Sequence, residues 1–350
     1  MAERHEAAHE VRLVPGGRSF TVKPGQTVLE ASLDAGLNLP HSCKSGHCSS
    51  CRARLVAGSI EYPRGRPVGI TASEESSGLV LLCQAHARSA LVVEARRIAS
   101  VGSVEIKTLP CRIERLVRLA PDVMQAFLRL PAVERLVFQA GQYLDVLLED
   151  GRRRSFSIAS PPHDSEPLEL HVRHVTGGGF TERLFSTLGA GALLRIEGPI
   201  GQFVYRHDPR PALFVAGGTG FAPLKAMLRH VLERGERRDI HLFWGARTAV
   251  DVYEESLVLE WVRRHPELKF TAVLSEARVA AQGDHRTGFV HDAVLAGYPD
   301  LRQHDVYAAG PPAMIEAIRA SFPPHGLDED RLHFDSFDYA PDATRKAADG

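Results

Sequence analysis

The spacing of apolar residues changes character along this chain and marks out three regions. In the first, the runs are short. Residues 11–14 and 19–22 read as two strands, and Pro15-Gly16-Gly17 between them is a turn, so the pair is a hairpin. Thr27 and Glu30 stand three apart, the capping-box pattern that opens a helix. Val28, Leu29 and Leu33 give that helix an apolar side, and Gly36 suits its end. Strand-like runs follow at 51–56, 79–83 and 91–95. In the second region short alternating runs recur at 111–119, 124–130, 143–148, 155–159 and 168–175, separated by turn residues. That spacing predicts a small antiparallel barrel. The third region opens at Pro211. Residues 212–216 are continuously apolar, as in a strand buried on both faces. Leu224, Met227, Leu228, Val231 and Leu232 then recur at i, i+3, i+4, i+7 and i+8, the stripe of an amphipathic helix. Strands at 240–244, 270–274 and 305–309 and a helix at 314–320 continue the alternation, which predicts a parallel, doubly wound sheet.

Bulk composition narrows the class without naming it. A chain of 350 residues holds two or three domains. Hydrophobic content of 44% and charge content of 24% are those of a globular protein. A net charge of −1 argues against a general nucleic-acid binder. The first ten residues are polar, so no secretory signal is expected, and no window reaches the roughly 18 apolar residues of a membrane span. A cytoplasmic protein with no membrane or nucleic-acid partner is the expectation.

The densest chemistry lies at Cys43-Lys44-Ser45-Gly46-His47-Cys48-Ser49-Ser50-Cys51, spaced C-x4-C-x2-C, with Cys83 after 31 intervening residues. This is the ligand order of a plant-type [2Fe-2S] cluster. Gly46 lets the loop bend where a side chain would collide, and inward backbone N–H groups there can bond the cluster sulfurs. Zinc sites place cysteines as paired C-x2-C knuckles and fit this spacing poorly. Disulfides suit secreted chains. Cys111 remains over, and a buried or half-buried thiol is its expected role. The region 10–99 resembles the plant-type ferredoxin domain, a β-grasp fold, with Cys43, Cys48, Cys51 and Cys83 as metal ligands. Where that family has glycine after the second loop cysteine, this chain has Ser49. His47 reads as a solvated loop residue, since four cysteines complete the coordination. The 17 histidines show no ligand spacing and read as surface or core residues.

In the barrel region, Arg154-Ser155-Phe156-Ser157 sets a cation, a ring and a hydroxyl on one expected strand face. Gly177-Gly178-Gly179-Phe180-Thr181 follows and leads into a helix expected at 182–188. Glycines before a helix N-terminus expose backbone donors to a pyrophosphate. F-x-x-G-Q-Y at 138–143 and Gly198-Pro199-Ile200-Gly201 add two more matches. Together they resemble the FAD domain of the ferredoxin–NADP reductase superfamily. The resemblance implies Arg154 on the pyrophosphate, Phe156 against the isoalloxazine and Ser157 near N5, with Ser155 between them. It implies Gly178, Gly179 and Thr181 as the second phosphate motif. The family often has Tyr at Phe156, and the missing hydroxyl removes a hydrogen bond worth about 1 kcal/mol.

In the third region Gly217-Gly218-Thr219-Gly220-Phe221-Ala222-Pro223 sits between strand and helix, the context of a dinucleotide site. Gly310-Pro311-Pro312-Ala313-Met314 follows the last expected strand. Both resemble the pyridine-nucleotide domain of the same superfamily, which implies nucleotide contacts at Gly217, Gly218, Thr219, Gly220, Pro223, Gly310, Pro311 and Pro312. The family commonly has Cys where Ala309 stands. Phe337 aligns with the terminal aromatic segment that often covers the flavin, and core packing is its other reading. After the third strand come Ser275 and Glu276, where NADPH-dependent relatives tend to carry Ser-Arg. A glutamate repels a 2′-phosphate and accepts from ribose hydroxyls, which favours NADH; Arg247 is the counter-argument.

The expected division is a polar tail at 1–9, the ferredoxin domain at 10–99, a linker at 100–108, the FAD barrel at 109–207, the NAD domain at 208–340 and a tail at 341–350. The order iron–sulfur, FAD, NAD resembles the reductase components of bacterial oxygenases, and equally the CDP-6-deoxy-glucoseen reductases. It implies an enzyme that moves electrons from NADH through FAD to the [2Fe-2S] cluster and on to an acceptor protein. The acceptor is expected to be an oxygenase, or alternatively the dehydratase that partners CDP-4-dehydro-6-deoxyglucose reductase. A redox-sensing regulatory module is the alternative of another class. Lys44, Arg52 and Arg54 read either as a basic docking rim or as solvated charges.

Overall fold

The structure, a computed structural model, describes residues 7–37, 39, 41, 44, 46, 51–67, 69–70, 72–94, 106–276 and 285–337. The chain forms two compact units, Met1–Glu105 and Ile106–Gly350.

In the first unit β1 (His9–Val14) and β2 (Ser19–Val22) form the expected hairpin, with His9 opposite Val22. Alternation turns Val11, Leu13, Phe20 and Val22 into the core. Helix α1 (Val28–Asp34) opens at Thr27, whose hydroxyl accepts from Glu30 N at 3.2 Å while the Glu30 carboxylate accepts from Thr27 N at 2.8 Å. It closes where Gly36 turns left-handed (φ +72°), so that the N–H groups of Gly36 and Leu37 reach back to Leu33 and Ser32 carbonyls. The remaining elements are β3 (Arg52–Ala57), β4 (Ile60–Glu61), α2 (Ala72–Ser76), β5 (Leu79–Leu81), β6 (His86–Ala87) and β7 (Leu91–Glu94). The main sheet runs β2-β1-β7-β3-β5, with β1 and β7 parallel at its centre. The unforeseen β4, α2 and β6 are two to five residues long, too short to show a period.

The second unit begins with β8 (Lys107–Ala120), three residues before Pro110. Lys107 and Thr108, read from the sequence as linker, are strand; residues 95–105 lie outside the described residues. β9 (Val123–Arg129), β10 (Tyr143–Leu147), β11 (Arg153–Ser157), β12 (Leu168–Arg173), α3 (Gly179–Ser186) and β13 (Leu193–Ile200) follow. The sheet order β11-β10-β13-β8-β9-β12 is antiparallel throughout. An antiparallel bridge between Ile158 and Leu170 joins its two ends, closing the barrel. β13 was not foreseen, because Gly198-Pro199 reads as a turn and Leu193 is an exposed apolar residue.

The same unit continues with β14 (Ala212–Gly217), α4 (Phe221–Glu233), β15 (Ile240–Ala246), α5 (Glu255–Arg264), β16 (Leu268–Leu274), β17 (Arg286–Thr287), α6 (Val290–Gly297), β18 (Asp305–Gly310), α7 (Pro312–Ser321) and β19 (Leu332–Ser336). The order β17-β16-β15-β14-β18-β19 is wholly parallel. Phe214, Ala216, Leu242 and Trp244 pack with α4 and α5 on one face. Leu213, Val215, Phe243 and Val306 pack with α6 and α7 on the other. Both faces are covered, which is why these strands read as continuous apolar runs. Among the described residues no helix is long and apolar enough to cross a membrane.

Candidate functional site

Strand order reverses between β14 and β18, and ligands of open parallel sheets lie beyond the strand tips at such a point. Both tips end in glycine here. A Cβ on Gly220 would stand 1.9 Å from the Ala309 carbonyl oxygen. One on Gly310, at φ +158°, would stand 2.9 Å from Gly217 Cα. One on Gly217 would meet Pro311 Cδ and Met314 Sδ, each at 2.7 Å. The two tips therefore touch backbone to backbone, and only glycine permits it. Gly218–Gly220 forms a single tight turn that runs straight into α4, so the N–H groups at the head of a thirteen-residue helix face the tip.

A cleft of about 300 Å³ opens over these tips. Gly217, Gly218, Thr219, Ser275, Pro311 and Phe337 line it, as does Arg247. Gly220 and Pro223 are buried behind it, Gly310 is buried at the tip of β18, and Pro312 starts α7. Glu276 is exposed, its N–H bonded to the Arg247 carbonyl at 3.0 Å. The Arg247 guanidinium lies 3.8 Å from both the Asp122 and the Asp251 carboxylates. Phe337 donates its N–H to the Gly310 carbonyl at 2.9 Å, is half-buried against the sheet core, and also faces the cleft. Sequence reading missed Arg173, which enters the cleft from barrel strand β12. Its Nη2 lies 3.1 Å from where a Cβ on Gly218 would stand. Arg173 Nε and Nη2 are buried with no hydrogen-bond partner among the described residues. A buried, unsatisfied guanidinium edge over a glycine turn fits an anionic diphosphate. Nothing near Arg173 in sequence marks it, because Gly218 is 45 residues further along the chain.

The flavin motif differs from expectation in one respect. Pleating turns Arg154 and Phe156 to one face of β11 and Ser155 and Ser157 to the other, so the four residues do not share a face. Phe156 is half-buried against the barrel core, 5.6 Å from the Phe180 ring. Ser157 is buried opposite Tyr143, and Ser155 donates to the buried Asp145 carboxylate at 2.5 Å. Gly178 precedes α3, and Gly179 begins it. A Cβ on Gly178 would stand 2.9 Å from both Thr181 Oγ1 and the Val175 carbonyl oxygen. Thr181 is buried, donating to the Gly178 carbonyl at 3.0 Å and accepting from Val175 N at 3.1 Å. This pins the turn ahead of α3, whose first-turn N–H groups have no intrahelical partner, a cradle that suits phosphate. The F-x-x-G-Q-Y and G-P-I-G segments meet: Gln142 donates to the Gly201 carbonyl at 3.0 Å, and Gly201 (φ +98°) lies under the Tyr143 ring.

In the first unit Cys51 and Cys83 are both buried, and Cys43, Cys48, His47 and Ser49 lie outside the described residues. Gln84 ties the cysteine loop to the fourth thiol: its amide donates to the Lys44 carbonyl at 3.0 Å and approaches Cys83 Sγ at 3.9 Å. Gly46 (φ +86°) fits only because it lacks a Cβ, which would stand 2.8 Å from Gln84 Cγ. Two buried thiols beside such a loop suit a soft metal centre. Arg52 pairs with Glu74, and Arg54 donates to the Ser77 carbonyl at 2.9 Å, so both are held within their own unit. Cys111 is a free thiol in the barrel core, and burial pushes its pKa up to about 12.

A dinucleotide cleft, a flavin-type barrel and a cluster-type cysteine loop in one chain define a pyridine-nucleotide flavoprotein oxidoreductase with its own iron–sulfur centre. Comparison with known proteins agrees. Residues 11–88 match the family model of the 2Fe-2S iron-sulfur cluster binding domain, 110–205 that of the oxidoreductase FAD-binding domain and 214–320 that of the oxidoreductase NAD-binding domain. The CDP-6-deoxy-L-threo-D-glycero-4-hexulose-3-dehydrase reductase of Yersinia pestis is 37% identical over 93% of this chain and 98% of that protein. Reductase component 1 of terephthalate 1,2-dioxygenase from Comamonas sp. is 36% identical over 95% of this chain and 98% of its own length. Among solved structures, the Amycolatopsis cytochrome P450 reductase GcoB superposes with a TM-score of 0.78 at 34% identity, covering 94% of this chain and 98% of that one. The chain belongs to the iron–sulfur flavoprotein reductases of the ferredoxin–NADP reductase superfamily. It is an enzyme that carries electrons from NADH through FAD to a [2Fe-2S] cluster.

Proposed function

We propose that the chain is a reductase component that delivers electrons one at a time to a separate oxygenase protein. The observation that carries this is the cluster-binding domain joined to a flavin and nucleotide unit, since oxidising NADH alone needs no one-electron outlet. When bound, the flavin would supply the exchange of a hydride-borne electron pair for single electrons, and the cluster would supply the one-electron outlet.

The protein's own residues hold and orient. Cys43, Cys48, Cys51 and Cys83 ligate the cluster. Arg154 and the α3 turn at Gly178, Gly179 and Thr181 bind the FAD pyrophosphate. Phe156 lies along the isoalloxazine, and Ser157 hydrogen-bonds near its reactive edge, with Ser155 bracing the strand. Gly217, Gly218, Thr219 and Gly220 receive the NADH diphosphate beneath Arg173. Pro223 and the segment Gly310, Pro311 and Pro312 shape the nicotinamide end. Ser275 and Glu276 accept from the adenosine ribose. Phe337, which lines the cleft, would cover the flavin ring. A ferredoxin domain at 10–99, a FAD barrel that takes in Lys107 and Thr108 and runs to 207, and an NAD domain at 208–340 suit this division of labour.

A second reading has a sugar dehydratase as the acceptor, favoured by the Yersinia relative. Reconstitution with each class of acceptor separates the two. The shared reading is tested with Cys83→Ser. Loaded wild-type protein should reduce ferricyanide and cytochrome c with NADH, and the variant should keep the first activity and lose the second. Equal cytochrome c reduction by both would remove the cluster as the outlet. Fully loaded wild-type protein that turns over with neither acceptor would instead favour a redox sensor.

A further inference from the structure

Strand β12 reads L-E-L-H-V-R, and its two faces have different fates. Leu168, Leu170 and Val172 enter the barrel core. Glu169, His171 and Arg173 share the other face, yet Glu169 and His171 are as buried as the leucines' neighbours in the core, at 5% exposure each. They face the nucleotide-binding half of the unit. Lys225, in the second turn of α4, donates to Glu169 at 2.7 Å and to both oxygens of Glu254 at 2.6 and 2.8 Å. His171 Nε2 lies 2.7 Å from the same Glu169 oxygen, which also accepts from Gln125 at 2.6 Å. The carboxylates and imidazole come close enough together to hold a metal ion, but the Lys225 ammonium already supplies the cation. Burial alone would push the Glu169 carboxyl up, but His171 and Lys225 hold it below the ordinary carboxylate range.

The cluster is linked to the glycine turn by an unbroken set of contacts. His171 Nδ1 lies 3.0 Å from the Tyr253 hydroxyl. The Tyr253 ring meets Trp244 edge-on at 5.0 Å, and Trp244 stacks on Phe221, the first residue of α4, at 3.9 Å. Trp244 Nε1 donates to the Gly218 carbonyl at 3.1 Å. The same strand face that carries His171 also carries Arg173 to Gly218 directly. Buried ion pairs add little net stability over an apolar filling of the same shape. What they impose is one geometry, because every member is costly if left unpaired.

We propose that His171, acting through Tyr253 and Trp244, is a positioning residue for the pyridine nucleotide. It locks the Gly218 turn at a set place relative to the flavin barrel, so that the diphosphate and hence the nicotinamide meet the barrel in register. The inference rests on the reading of the cleft as the NADH site. A plain domain latch is the competing account, and a second ion pair separates the two. Arg229 of α4 donates to Asp164 of the barrel at 2.6 Å, away from the turn.

The test uses FAD-loaded full-length protein and compares His171→Asn, Tyr253→Phe and, as control, Arg229→Gln. NAD⁺ affinity is measured by calorimetry, amide hydrogen exchange is followed at residues 217–221, and Tm is recorded. Tyr253→Phe keeps the ring on Trp244 and loses only the hydroxyl, so it guards against misfolding. In both test variants the NAD⁺ Kd should rise and exchange at 217–221 should quicken, each by about tenfold, as for one lost buried hydrogen bond. Arg229→Gln should lower Tm and leave both unchanged. An NAD⁺ Kd within about twofold of wild type in both test variants overturns the proposal, whatever their Tm. So does an equal rise in Arg229→Gln, which would show a latch. Wild-type protein that binds no NAD⁺ overturns the cleft assignment itself.

Discussion

Single residues at the strand tips act through volume and charge. Gly220 has an ordinary helical backbone (φ −59°), so its requirement is purely steric. Gly220→Ala should therefore cost about 1–3 kcal/mol, the range for overpacking a tight contact, and abolish NAD⁺ binding in a calorimetric titration. Gly189 meets nothing within 4 Å of an added Cβ, and Gly189→Ala should change stability by less than about 0.5 kcal/mol in denaturant unfolding. Coenzyme choice is also decided residue by residue. Arg247 is the counter-argument to NADH, but Asp122 and Asp251 flank it and Glu276 stands exposed beside it. A 2′-phosphate entering that corner meets more negative than positive charge. Wild-type kcat/KM should favour NADH over NADPH. Glu276→Arg should raise kcat/KM for NADPH by about tenfold, the worth of one charge-assisted hydrogen bond; an unchanged ratio would remove Glu276 from the nucleotide contacts.

At the scale of elements, α1 shows how a local signal reaches a metal site. Its capping box was readable from Thr27 and Glu30 alone, because both partners lie within one turn. The two N–H groups that follow the cap, on Val28 and Leu29, bond instead to the carbonyls of Ala85 and Leu82, on either side of Cys83. Thr27→Ala removes the cap, at about 1 kcal/mol, and loosens the segment that carries the fourth cysteine. The expected outcome is a lower Tm for the first unit and faster bleaching of the cluster's visible absorbance. Elements with weaker local signatures escaped notice. β13 contains Gly-Pro, and α5 and α6 lie between strands whose own apolar runs dominate. On β11 the four-residue motif was legible as chemistry, but its division between two faces follows only once the segment is known to be a pleated strand.

Across the molecule, two histidines make the nucleotide-binding sheet sensitive to acid. His241, on β15, bonds the hydroxyls of Tyr298 and of Thr271 on β16, and His333, on β19, packs beside Tyr307 of β18. Burial, helped by nearby Lys269 and Arg286 for His241 and by Arg206 for His333, pushes each from the ordinary 6.5 to about 4. Between those values the unfolded chain takes up protons that the folded chain does not, so the stabilisation is complete above 6.5 and is lost as pH falls toward 4. Thermal midpoints of the second unit should fall between pH 7 and pH 5, and His241→Gln should flatten the slope. A midpoint independent of pH over that interval would contradict the burial of both rings. What the chain announced by itself is whatever depends on neighbours in sequence. The cysteine spacing, the capping box, the glycine turn before a stripe of apolar residues and the three successive hydrophobic periods all act over one or two turns of backbone. Tertiary structure alone brought Arg173 to Gly218, and set Glu169, His171, Lys225 and Glu254 in one buried cluster. Apart from Glu169 and His171, which one strand face sets side by side, those contacts join residues dozens of positions apart, and no local pattern encodes them. They exist because closing the barrel and stacking the parallel sheet against it leaves one polar strand face with nowhere to go but inward.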